Sequence, residues 1–230
     1  KRIIAAFAIC LATATLAGAE EARIITTTGM GSVERAPDMA MVSLGVTHQA
    51  PQAADALAAT STGVAVVLDR LVEASVAERD VQTGTISLQP LWSNRGGQEP
   101  SEPQITGYVA RNSVTVRVRD LSVLGGLLDA MVRDGANTFD GLSFALQDPE
   151  PAMAEARAAA VRDAMARAAQ LAEAAGVVLG PVQSITEGGA SFAPRMEMAA
   201  ARMSDAGGVP VAPGELSISA QVTMVFAIAD

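Results

Sequence analysis

The sequence predicts an α+β fold, with mixed, mainly antiparallel sheets packed with three helices. Alternating β-branched stretches come in pairs joined by short turns, as antiparallel neighbours do. Three helix-length stretches with apolar stripes lie among them. The resulting order, ββαββαβαββ, mixes hairpins with helices instead of alternating strand and helix.

The first nineteen residues are expected to stand outside the fold. Lys1 and Arg2 form a basic start, an apolar run follows from Ile3 to Leu16, and Ala17-Gly18-Ala19 fits a small-x-small cleavage pattern. Residues 1–19 therefore read as a cleaved signal peptide, with the mature chain starting near Glu20 and carrying one domain, 20–230. The run is short for a bilayer span, and no later apolar run approaches the ~20 residues a span needs. Cys10 lies inside the apolar run after Phe7-Ala8-Ile9, without the small residues that precede a lipidated cysteine. The reading is export, with no membrane span after cleavage.

Cleavage removes the only cysteine and the only lysine. A mature chain without them has no disulfide, no thiol nucleophile and no lysine amine. Loss of Lys1 and Arg2 also takes the formal net charge from −9 to −11. So acidic a chain is a poor partner for nucleic acid or anionic membrane. Half of the residues are apolar and only 3% are aromatic, so the core is expected to be Val, Leu, Ile, Met and Ala.

Residues 24–35 (IITTTGMGSVER) are β-branched and read as a strand. Gly29 and Gly31 suggest a bulge or a close backbone approach. A phosphate loop would need a third glycine and a helix opening there, and neither follows. Ala36-Pro37-Asp38 is a turn, and residues 39–48 (MAMVSLGVTH) alternate as its hairpin partner. Pro51 opens a helix to about Ala74, with Ala54, Leu57, Ala58, Val64, Val67, Leu68 and Leu71 as the expected stripe. Residues 81–92 (VQTGTISLQPLW) form a strand, 93–103 a turn-rich hairpin tip, and 105–119 the returning strand. There Val114, Val116 and Val118 alternate with Thr115, Arg117 and Arg119, one face buried and one polar. A second helix covers 121–133, capped by Asp120 or Ser122. Gly135-Ala136-Asn137 then turns into a strand over 138–147.

The longest helix follows. Asp148 is its expected N-cap, Pro149 suits the first helical position, and Gly176 is the expected left-handed stop. At about 100° per residue Met153, Ala160, Val161, Ala164, Met165, Ala168, Leu171, Ala172 and Ala175 fall on one face. That face is mostly alanine, so the helix can lie very close to whatever covers it. Gly180-Pro181 leads into a strand over 182–187. Residues 188–214, rich in Met, Ala, Gly and Pro, read as a mobile or oligomer-contacting loop before a closing strand over 215–229.

Chemistry is sparse. His48 is the only histidine, so a Ser-His-Asp triad or histidine zinc site would have to use it. No Gly-x-Ser-x-Gly, His-Glu-x-x-His or second histidine accompanies it. Asp148, Glu150 and Glu155 could form a carboxylate site, but helix capping explains the first two. Arg157 is placed at the centre of the alanine face, where a charge needs a partner or a route to water. It reads as an in-chain ion pair or as an intersubunit pair that fixes assembly. Met196, Met198 and Met203 could give a thioether metal site or oxidation targets, but read first as a flexible apolar loop packing on a neighbour. Trp92 and Tyr108 read as core or sheet-face aromatics. The residues require no cofactor, metal site or catalytic group.

In order and spacing the chain resembles the periplasmic bacterial branch of the SIMPL-domain family. The matching pieces are Gly29 to Ala36 (GMGSVERA) with Pro37-Asp38, Thr83 to Leu91 (TGTISLQPL) and Gly107-Tyr108-Val109-Ala110-Arg111-Asn112. They continue with Gly135-Ala136-Asn137, Phe144 to Pro149, Glu155-Ala156-Arg157, Gly176 to Glu187 and Pro213-Gly214-Glu215. The long helix lacks the lysine that the family often carries there. The resemblance implies a periplasmic α+β domain that self-assembles into large rings or hollow oligomers. It also implies a link to envelope or oxidative stress, with no established enzymatic activity. Two alternatives remain. One is a small-molecule or metal binder using an oligomer cavity and the Met-rich loop, and the other is a hydrolase built on His48.

Overall fold

The computed structural model describes residues 23–93, 103–189, 191–195 and 209–229. Its strands are β1 (Ile24–Arg35), β2 (Met39–Ala50), β3 (Val81–Trp92), β4 (Ile105–Val118), β5 (Thr138–Ala145), β6 (Val178–Glu187), β7 (Ser191–Arg195) and β8 (Glu215–Ala229). Its helices are α1 (Ala53–Glu73), α2 (Leu124–Arg133) and α3 (Glu150–Ala175). The fold is α+β as the sequence predicts, with β7 as an added short strand. That strand occupies part of the 188–214 stretch expected to be a loop. Met196, Met198 and Met203 lie outside the described residues, as does the proposed signal peptide.

Two antiparallel sheets carry the fold. One has the order β3-β4-β2-β5, and the other β1-β8-β6, with β7 pairing the same side of β8 as β6. Alternation works as expected in the first sheet. Val42, Leu44, Val46, Val114, Val116 and Val118 are buried together with Val64, Val67 and Leu71 of α1 and Leu124, Leu127, Leu128 and Met131 of α2. Asp120 is the cap before α2, its carboxylate accepting from the Ser122 amide at 2.9 Å. The second sheet buries Leu216, Ile218, Val222, Met224 and Phe226 against α3.

Helix α3 lies on β1 and β8 through a narrow row, Ala152, Ala156, Ala160, Ala164, Ala168 and Ala172, with Met153 beside it. This differs from the expected face, because Met165, Leu171 and Ala175 are exposed. The reason is the closeness of β1. A Cβ on Gly29 would fall on the carbonyl oxygen of Ala160 and the amide of Ala164, and one on Gly31 on the carbonyl of Ala156. Only a methyl side chain fits opposite such a strand, so larger residues are displaced to the flanks. The two glycines mark a close approach without a bulge, since the β1–β8 register is unbroken. Gly176 closes the helix at φ 69°, as expected. Asp148 still accepts from the Glu150 amide at 3.2 Å, though the helix begins one residue later than Pro149.

Two further expectations shift. In α1 the buried row is Ala56, Thr60, Val64, Val67 and Leu71, while Ala54, Leu57 and Ala58 are exposed. Thr60 can sit inside because its hydroxyl donates to the Ala56 carbonyl at 2.8 Å and lies 3.2 Å from that of Ala110. Strand β6 starts at Val178, before Gly180-Pro181, and passes them with a register shift against β8. An edge strand tolerates proline because one side of its ladder has no partner.

Candidate functional site

The single histidine is exposed on β2, opposite Ala110 of β4. Among the described residues no hydrogen bond joins it to a hydroxyl or a carboxylate, and no three His, Cys, Asp or Glu side chains converge as metal ligands would. The acids of the long helix are engaged elsewhere. Glu155 holds Arg35 of β1 at 2.6 Å, and Glu150 lies 3.6 Å from Arg157.

Arg157 is not at the centre of the alanine row. It stands on the flank facing β6, half-exposed, with its Nε donating to Glu187 at 2.6 Å. Its charge therefore has partners within its own chain. Trp92 is exposed and Tyr108 partly so, on the β3–β4 hairpin.

The most constrained polar cluster was not visible in the sequence. Asp80, buried at the start of β3, accepts from Arg119 Nε and Nη2, both at 2.7 Å. The bidentate guanidinium holds the Asp80 carboxyl below its usual value, outweighing the opposing effect of burial. Arg119 also reaches Gln147 at 3.3 Å, and Gln147 is tied to Asp38 through its amide at 2.7 Å. These four residues clasp the ends of β2, β3, β4 and β5 where the chain crosses to the second sheet. The clasp positions strands and contains no nucleophile.

The sheet edges differ in their chemistry. On β1 the Met30 amide donates to Asp163 of α3 at 2.8 Å, which also holds that carboxyl below its usual value. Strand β5 carries Asp140, paired with Arg111 of β4, β6 carries Pro181 and Glu187, and β7 carries Pro194 and Arg195. Strand β3 alone among the described edge strands has no charged residue, and its one guard is Pro90 near its end. A bulge at Gly84 and Thr85 is pinned by the Ser113 hydroxyl, which accepts from the Thr85 amide at 2.8 Å. Beyond it Ile86 and Leu88 lie across from Asn112 and Ala110, on the side of the sheet that carries α1. Ile86, Leu88, Trp92 and Ile105 are 59%, 43%, 55% and 48% exposed. Natural edge strands are normally blunted by charge or proline, and a contiguous exposed apolar patch marks an interaction surface. The signal was present in the sequence as the uncharged run VQTGTISLQPLW.

Known proteins give the same architecture a family. A profile described as SIMPL, protein of unknown function (DUF541), matches residues 25–226. The 26 kDa periplasmic immunogenic protein of Brucella melitensis is 38% identical over 213 residues, covering 89% of this chain and 84% of that protein. The uncharacterized protein YggE of Escherichia coli (strain K12) is 29% identical over 208 residues, covering 88% and 82%. YggE of Edwardsiella ictaluri is 31% identical over 173 residues, covering 75% and 71%. Among the described residues no helix is long and apolar enough to cross a membrane. The matched region takes in both sheets and all three helices, and the chain belongs to the SIMPL family.

Proposed function

We propose that this chain is an exported, periplasmic, non-enzymatic protein that works as a self-assembled oligomer and serves envelope or oxidative-stress tolerance. The observation that carries self-assembly is the β3 edge. Among the described residues its outer side has no strand partner, and exposed Ile86 and Leu88 stand there on a stretch that carries no charge and has Pro90 near its end. Elsewhere the acidic surface makes two copies repel, so an uncharged strand is the favoured place for them to meet. Export is supported by the signal-like first nineteen residues and by the periplasmic name of the Brucella relatives. The stress role rests on the family resemblance alone.

The test is the solution mass of residues 20–230 beside the Ile86→Lys/Leu88→Lys variant. Two charges on the edge should reduce a discrete oligomer to a smaller species with unchanged far-UV dichroism. An oligomer of unchanged mass removes β3 from the interface. The interface role expected of Arg157 is the competing arm, because Arg157→Ala lowers the mass only if its pairs with Glu187 and Glu150 are exchanged between copies. The stress role is checked by survival of a deletion strain under peroxide or envelope-damaging detergent, with wild-type survival counting against it.

A further inference from the structure

A pocket of about 320 Å³ opens between α2 and the β2–β5 pair, away from the β3 edge. Its buried lining is Leu44, Leu128 and Ala136, and its walls are Val132, Phe139 and Val209. The walls are large apolar groups left 62%, 55% and 43% exposed. They are held in place from several directions. Asn137 clamps the turn, its Oδ1 accepting from the Thr47 amide at 2.8 Å and its Nδ2 donating to the Thr47 carbonyl at 2.9 Å. The Asn137 amide donates to the Gly45 carbonyl at 3.0 Å, and Gly135 turns the chain at φ 123°. On the far wall Gly125 lets the backbone of Val209 lie against α2, since a Cβ there would stand 2.8 Å from the Val209 carbonyl oxygen.

The lining also fixes what the pocket accepts. None of the lining residues is charged. Its polar members are Asn137, whose amide is committed to Thr47, and Thr138, whose hydroxyl has no hydrogen-bond partner among the described residues but is closed off from solvent beside Gly45. A ligand finds no group there to neutralise an ion or replace the hydrogen bonds of a strongly polar molecule. The formal charge of −9 adds long-range repulsion against anions. An apolar cavity of roughly 150 Å³ takes one benzene, so this pocket takes a molecule of roughly two rings.

We propose that the pocket between α2 and β5 binds a small, uncharged apolar molecule of about the size of two fused rings. The proposal is independent of self-assembly through β3. It is tested with prodan, an uncharged two-ring naphthalene probe, titrated into the full mature chain while its fluorescence is followed. The wild type should enhance the probe saturably, with one site per chain. Val132→Glu should weaken binding at least tenfold by placing a carboxylate on the wall. Phe139→Ser should do the same without adding charge, and it serves if Val132→Glu lowers the far-UV dichroism. Ile185→Ser, which removes an equally exposed apolar group on β6, should bind as the wild type does. Absent or unsaturable enhancement by the wild type overturns the proposal. So does wild-type affinity in a folded pocket variant, or a loss with Ile185→Ser equal to that with the pocket variants.

Discussion

Gly29 of β1 lies so close to Ala160 of α3 that a methyl group added to the glycine would occupy the alanine's carbonyl oxygen. The contact repeats four residues earlier on the helix, where Gly31 meets Ala156. Thr27, one step along the same face of the strand, donates its hydroxyl to the Ala164 carbonyl at 2.9 Å. Small residues on both partners thus bring helix and strand backbones together, and a side chain on either glycine meets main chain that cannot rotate away. Replacing Gly31 by Val should therefore destabilise the fold by about 3 kcal/mol, the upper range for overpacking. Urea unfolding measures this, and a loss below about 1 kcal/mol means α3 does not sit on β1 as described.

The clasp between the strand ends gives a second prediction. Arg119→Ala leaves the buried Asp80 without its two charge-assisted hydrogen bonds. The expected loss is roughly 2–3 kcal/mol, as for a buried charged group deprived of its partner. Thermal unfolding of the variant at neutral pH reads it directly, and an unchanged midpoint contradicts the clasp.

Acid should weaken the fold through Asp80 and Asp163. Arg119 holds the first carboxyl below its usual value, and the Met30 amide followed by Arg167 holds the second. A depressed native value means the folded state favours the ionised form. The stability so gained is full above the unfolded carboxylate value of ~4 and is lost as pH falls through the native values. Calorimetry at pH 7 and pH 3 should show a smaller drop in Asp80→Asn/Asp163→Asn than in the wild type. An equal drop assigns the acid sensitivity to other groups.

Arg157→Ala should change the protomer little. Its pairs with Glu187 and Glu150 are open to solvent, which screens them, so they add little to stability. Denaturant unfolding of the variant under conditions that keep it dissociated checks this, and a midpoint lowered as far as that of Arg119→Ala would make the residue a structural anchor.

The fold was largely legible because its signals are local. Period-two alternation marked β2 and β4, glycine marked the end of α3, and an acidic cap preceded α2. The alanine content of α3 announced a close helix contact before Gly29 and Gly31 were seen to receive it. What failed to read depended on partners distant in sequence. Hydropathy includes Leu57 in the apolar stripe of α1 and does not include Thr60, because it cannot see that the Ala110 carbonyl awaits a hydroxyl. It placed Met165 and Leu171 on the buried face, because nothing local says the facing strand leaves room for a methyl alone. The Asp80–Arg119 clasp joins residues 39 apart, with no motif between them. Of the candidate sites, Arg157 pairs with Glu187 and Glu150 from the flank of the helix, because the alanine row against β1 leaves room for methyl groups alone. The uncharged edge of β3 could have been read from its twelve residues.

The central claim is that this SIMPL chain works as an assembly of copies meeting at an uncharged strand edge. Light scattering after size exclusion, on residues 20–230, tests it most directly. The account predicts a discrete species several times the protomer mass, reduced when Ile86 and Leu88 become lysines. A clean monomer at all concentrations would contradict it.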